Sequence, residues 1–197
     1  GYVVGFRYRW KTAVWVSYRL TRESVGKRFE RSDDFEPDTD VPASFRVRTE
    51  DYTRTGYDRG HLAPAAAMDF SQHAMQESFL MTNIAPQRPG LNRQGWRSLE
   101  SHVRDLAESH SDIFVITGPI ASGASESLAA GIIIPDAFFK AIFIPSRLSM
   151  EGYILPNEEV KSDDWPAYQV SIDEIELATG LDLFDLLRDE HEVPLER

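Results

Sequence analysis

Thr55-Gly56-Tyr57-Asp58-Arg59-Gly60-His61-Leu62-Ala63-Pro64 is the stretch on which the reading of this chain turns. Within it, Arg59, Gly60 and His61 set a cation, a conformationally free backbone position and an imidazole side by side. A histidine beside an arginine is more often structural or merely exposed than functional, so its surroundings must decide. Downstream, residues 92–107 have the strongest helical periodicity of the chain. At about 100° per residue, Trp96, Leu99, Val103, Leu106 and Ala107 share one apolar stripe. On that wheel Asn92 projects from the middle of the stripe, while Glu100 and Arg104 line its edge. A polar amide turned inward must find partners or costs about 1–3 kcal/mol. Asn92 therefore reads either as a helix N-cap or as an inward-facing amide that must find partners. Glu100 and Arg104 equally fit an ordinary i,i+4 ion pair.

Outward from this centre, strands are interrupted irregularly by helices. Val14-Trp15-Val16-Ser17-Tyr18-Arg19-Leu20 alternates with the period of a strand that buries one face. Residues 21–48 are charged and carry Pro37 and Pro42, the composition of a long surface excursion. Residues 112–117 read as a buried strand stopped by Gly118-Pro119, and residues 137–144 and 153–155 as two more. Ser171-Ile172-Asp173-Glu174 has the capping-box pattern, with Gly180 as the stop of its helix. Tight alternation of strand and helix is missing. The pattern predicts an α+β fold, in one domain over residues 1–197, rather than a doubly wound sheet.

Composition removes several classes of function. The 197 residues are 42% hydrophobic and 27% charged, which excludes disorder and gives a length able to bury a sizeable core. Without cysteine there is no disulfide, thiolate metal site or cysteine nucleophile. No apolar run approaches the roughly 20 residues of a membrane span. Among His61, His73, His102, His110 and His191, no pair has the i,i+4 spacing of a helical zinc site. Phosphate-cradling glycine motifs and a nucleophile elbow are absent. The net charge of −11 is unevenly spread: residues 1–105 hold 16 Lys+Arg against 14 Asp+Glu, residues 106–197 hold 5 against 18. That fits an acidic solubilising face on the second half, or a locally basic site on an acidic body. Residues 1–10 mix arginine with aromatics and do not read as a signal peptide. Export, with a signal already removed, is favoured over a cytoplasmic location.

The stretch from Thr55 to Pro64 resembles the Asp-Arg-Gly-His motif of the DNA/RNA non-specific endonucleases, the ββα-metal enzymes. Asn83-Ile84-Ala85-Pro86-Gln87, then Leu91-Asn92, Trp96, Leu99-Glu100 and Arg104, resemble the family's second block in order and spacing. Trp15-Val16-Ser17-Tyr18, Thr117-Gly118-Pro119, Phe139-Lys140 and Leu155-Pro156-Asn157 resemble its flanking strands, and residues 171–180 its final helix. The likeness covers nearly the whole chain, and the two central blocks together are highly specific.

The resemblance implies a ββα-metal core packed on a mainly antiparallel central sheet with flanking helices. It implies a metal-dependent, sugar-non-specific endonuclease that leaves 5′-phosphate ends. His61 would be the general base, a task suited to an imidazole. Asn92 would be the single direct ligand of Mg²⁺, with Mn²⁺ able to substitute, and Glu100 would act on the ion through water. Arg59 and Arg104 would neutralise phosphate charge, and Asn83 would position the histidine or the substrate. The partners implied are DNA and RNA, met through the phosphate backbone, and no membrane. A homodimer and an inhibitor or immunity protein are compatible with the family. Two rivals stand beside this reading. One is a binding module that keeps the fold without turnover, which would not require His61, Asn92 and Glu100 together. The other is a phosphodiesterase of small nucleotides, separable by comparing dinucleotides with long duplexes.

Overall fold

Apolar alternation and amphipathic spacing resolve into eight strands and three α-helices among the described residues. In chain order these are β1 (Tyr2–Arg7), β2 (Thr12–Thr21), β3 (Asp58–His61), α1 (Gln72–Glu77), β4 (Ile84–Gln87) and α2 (Trp96–His110). There follow β5 (Asp112–Ile120), β6 (Ala137–Ile144), β7 (Ser149–Pro156), β8 (Gln169–Val170) and α3 (Ile172–Thr179). The computed structural model describes residues 1–26, 29–185 and 195, so His191 lies outside the described residues.

Six strands form one antiparallel sheet in the order β1-β2-β5-β6-β7-β8. Strands β3 and β4 pair separately, also antiparallel. The fold is α+β, with β3, β4 and α2 as its ββα unit. Because β2 pairs directly with β5, everything between them in sequence is an insertion mounted on the sheet.

Both faces of the sheet are covered. Trp96, Leu99, Val103, Leu106 and Ala107 of α2 join Val16, Tyr18 and Leu20 of β2, Ile113 and Val115 of β5, and Phe138 and Ile142 of β6. On the other face, Ile172 and Ile175 of α3 pack with Leu183 on Phe139 and Ala141. Strand β6 is apolar almost throughout because neither of its faces meets water. Its even positions point to α2, and among them sits Lys140, wholly buried.

Two expectations are corrected, and one strand is added. Gly118-Pro119 does not stop β5, which runs on to Ile120. The β2 ladder ends at Thr117, so Pro119 pairs only with β6 and its missing N–H leaves no gap in the sheet. The α-helix starts at Trp96 instead of Asn92, because residues Leu91–Gly95 form a π turn. The arginine-rich N-terminus forms edge strand β1, whose half-buried pattern lacks clean alternation.

Candidate active site

Strand β3 is the Asp-Arg-Gly-His motif itself, paired in register Asp58↔Gln87, Gly60↔Ala85 and His61↔Ile84. Gly60 is extended and has no positive φ, so conformational freedom is not what the position needs. A Cβ there would stand 2.3 Å from Gln87 Oε1, so the strand pair requires the missing side chain. Just past the hairpin end, Asn83 is fully buried and has its amide fully engaged. Its Oδ1 accepts from Ala63 N at 2.9 Å, and its Nδ2 donates to Ala63 O and Ser78 O, each at 2.8 Å. With Leu62 N donating to Asn83 O at 3.0 Å, this residue holds the backbone that follows His61. Of the two tasks the resemblance allows Asn83, this geometry fits the positioning of the histidine and leaves no group for substrate.

Asn92 lies on the π turn, a rare geometry that recurs at functional sites. It caps no helix: Gly90 and Gly95 stand at the cap positions. Its Nδ2 donates to Asp58 Oδ2 at 3.0 Å, which fixes the amide and leaves the carbonyl Oδ1 on the side away from Asp58. Asp58 also receives Arg93 through two hydrogen bonds of 2.8 and 2.7 Å. Burial pushes the Asp58 carboxyl up, but the bonds from Arg93 and Asn92 outweigh it and hold the group below the usual carboxylate range.

His61 is buried between two rings, Phe35 at 5.5 Å and Phe79 edge-on at 4.9 Å. Its Nε2 has no hydrogen-bond partner in the protein. Burial lowers its pKa to about 3; the charges of Arg31 and Arg59 push the same way, and Asp33 opposes them. The imidazole is therefore neutral at physiological pH, the state a general base needs. Arg59, two residues back on the same strand face, lays its guanidinium 4.5 Å over the Phe35 ring. His73 and His102 are engaged elsewhere, with Glu77 at 3.2 Å and Glu151 at 2.8 Å.

Glu100 sits half-buried one turn along α2 from Trp96. Burial raises its pKa, while the charges of Lys140, Arg104 and Arg31 pull it down. Lys140 in turn is lowered by burial, with Glu100 opposing. Its Nζ donates to Thr117 Oγ1 at 3.2 Å and lies 4.5 Å over the Trp96 ring. Glu100 and Arg104 form no ion pair among the described residues, so the i,i+4 reading does not hold. Three residues that act on this cluster carry no site role from sequence alone. Asp58 was inside the quoted motif with no role attached, and Lys140 was a lone cation in an apolar strand, a signal that could have been used. Arg31 lies in the charged excursion, yet its charge acts on both His61 and Glu100. Nothing in its sequence context distinguished it.

Among the described residues no group of three His, Asp or Glu side chains forms a metal cage. The oxygen donors the resemblance points to are the carbonyl of Asn92, whose amide Asp58 holds, and the carboxylate of Glu100 on α2. Such a set suits a hard cation that keeps most of its own waters, as Mg²⁺ does.

The family model for DNA/RNA non-specific endonucleases matches residues 1–190. A nuclease of Syncephalastrum racemosum is 36% identical over 212 residues, covering 95% of this chain and 66% of the relative. Human mitochondrial endonuclease G is 33% identical over 196 residues, covering 91% and 66%. The crystal structure of an EndoG/EndoGI complex, described as showing the mechanism of EndoG inhibition, matches with a TM-score of 0.90 at 34% identity. It covers 96% of this chain and 85% of that one. This chain belongs to the DNA/RNA non-specific endonuclease family. It spans about two-thirds of the length of the fungal and human relatives, at 66% of each.

Proposed function

We propose that this chain is a metal-dependent endonuclease that hydrolyses phosphodiester bonds in DNA and RNA without sugar specificity, leaving 5′-phosphate ends. The observation that carries the reading is the Asn92 amide, pinned by Asp58 on a π turn beside the strand that ends in a neutral, buried His61. Family membership supports the same reaction class.

His61 takes a proton from the attacking water, which its neutral state allows without a prior deprotonation. Asn83 holds the backbone beyond it so that the ring keeps one position. Arg59, Arg104 and Arg31 surround the reacting phosphate with positive charge, where the transition state gathers negative charge. Asn92 would hold Mg²⁺ through Oδ1, with Glu100 acting through water, and Mn²⁺ would replace it. When bound, the ion supplies charge stabilisation for the leaving 3′ oxygen. Asp58 keeps the Asn92 amide from rotating, and Lys140 favours the charged form of Glu100. An inhibitor protein that closes this site is proposed on the same footing, because the matching structure is a nuclease held by its inhibitor.

The test is turnover on supercoiled plasmid and on RNA, with Mg²⁺, with Mn²⁺ and with excess EDTA. Cleavage of both substrates is expected with either ion and none with EDTA, and the ends should ligate without prior phosphorylation. His61→Ala should abolish nearly all cleavage while folding and metal affinity persist; Asn92→Ala should lose both activity and metal affinity. Near-wild-type cleavage by a folded His61→Ala protein removes the proposed base. Turnover confined to dinucleotides makes the protein a small-molecule phosphodiesterase, and binding without turnover makes it a binding module.

A further inference from the structure

The end of β1 and the turn into β2 carry Arg7, Tyr8, Arg9, Trp10 and Lys11, three cations and no carboxylate in a protein of net charge −11. Arg7, Arg9 and Trp10 line one wall of a cleft of about 700 Å³, and Ser122, Gly123 and Ser127 line the facing wall. The turn is bonded to residues 130–133, and Ile133 among them lines the cleft too. Ile133 N donates to Trp10 O at 3.0 Å, and Lys11 Nζ donates to Ala130 O at 3.0 Å. The Arg7 guanidinium lies 4.2 Å over the Trp10 ring. Stacking of that kind fixes the plane of the fork and leaves its N–H edge free for an oxyanion. Arg9 is exposed, and neither arginine forms an ion pair among the described residues. Of the acids on the facing side, Asp136 is already held by Ser122 N at 3.1 Å and Ser125 Oγ at 2.7 Å, while Glu126, next to Ser127, is exposed.

This turn stands beside the catalytic strands. Thr12, the first residue of β2, donates through Oγ1 to Ile84 O at 3.3 Å, and Ile84 is the register partner of His61. Arg9 is three residues from Thr12 across a tight turn, so it lies at most about 10 Å further on. A strand that leaves His61 along β4 toward this turn would meet the guanidiniums of Arg7 and Arg9, which form no ion pair among the described residues.

We propose that this cleft is an accessory phosphate-binding site that grips the nucleic-acid strand beyond the nucleotides at His61. The inference rests on the nuclease reading above. It explains how an acidic protein holds a polyanion: the basic contacts are gathered along one path. It also makes binding depend on strand length, because short strands end before the turn.

The probes are fluorescein-labelled single-stranded DNAs of about 6 and about 24 nucleotides, lengths that bracket one groove-sized site. Binding is followed by anisotropy with Mg²⁺ present, in a full-length His61→Ala background that keeps the strands intact. Arg7→Ala/Arg9→Ala should weaken the long strand about tenfold, as expected for lost charge-assisted contacts. It should move the short strand less than about twofold, and the salt slope for the long strand should become shallower by about 1.4, two phosphates at roughly 0.7 each. If the double variant misfolds by circular dichroism, Arg9→Ala alone gives the same test at half the slope change. Equal losses at both lengths, or no loss at either, overturn the proposal. Polyglutamate competing as strongly as the long strand overturns it in favour of an acidic protein surface. Wild type that neither binds nor cleaves any nucleic acid overturns the nuclease reading with it. Wild type that cleaves while the variant keeps its length dependence overturns the accessory site alone.

Discussion

His61 resists protonation where it sits. The unfolded chain takes up this proton near pH 6.5, the fold only near pH 3. Between those values the unfolded state binds the extra proton, so stability rises with pH through the window and is lost as pH falls. The melting temperature of wild type should therefore drop more than that of His61→Asn between about pH 6.5 and pH 5; Glu100, raised to about 6, titrates in both proteins, so the difference between them reports His61. Parallel slopes would show that the imidazole is not buried neutral. Asp58 makes a second claim at this scale. Asp58→Ala frees the Asn92 amide, and Mg²⁺ affinity measured by calorimetry should fall about 10- to 100-fold, the usual cost of losing a group that orients a ligand. Asp58→Asn keeps an acceptor for Asn92 Nδ2 and should lose less. Equal affinity for Asp58→Ala and wild type would separate Asp58 from the metal.

Single elements show how much of the molecule was legible in advance. The α2 stripe, strand β6 and the Ser171–Glu174 box were readable because period and capping chemistry are local. The capping box is present, with Glu174 N donating to Ser171 Oγ at 3.2 Å and Gly180 in the left-handed region at φ 69°. Ser171→Ala should cost about 1 kcal/mol in denaturant titration and leave cleavage intact, since α3 lies on the sheet face opposite α2. Gly60→Ala should behave differently. Its Cβ meets Gln87 at 2.3 Å inside the strand pair that carries His61, so about 1–3 kcal/mol of overpacking strain is expected together with a loss of turnover. Wild-type stability in Gly60→Ala would mean that Gln87 moves aside freely. The π turn, by contrast, was not legible. Helical spacing placed Asn92 by a 3.6-residue period that the chain abandons over Leu91–Gly95, and only tertiary contacts select the wider turn. Arg31 and Lys140 were hidden for a related reason. Their meaning depends on which elements lie across from them, and one sequence does not say that.

At the scale of the whole molecule, the acidic second half and the basic first half explain each other. The inserted part and the N-terminal hairpin hold most of the cations, nearly balanced by acids there, while the later part of the chain carries the acidic excess. Substrate affinity should consequently fall steeply with salt, with a linear log–log slope and little dependence on base sequence. Digestion of a long plasmid to one discrete fragment pattern would contradict this. The pairing of β2 with β5 reaches further than packing. During synthesis, the His61 strand and the Asn92 turn leave the ribosome before β5 exists to lock against β2, and Lys140 follows later still. An unfinished chain thus holds most of the reactive groups with no completed platform to align them. The groups of the candidate site depend, for the sheet they are mounted on, on strands made after them.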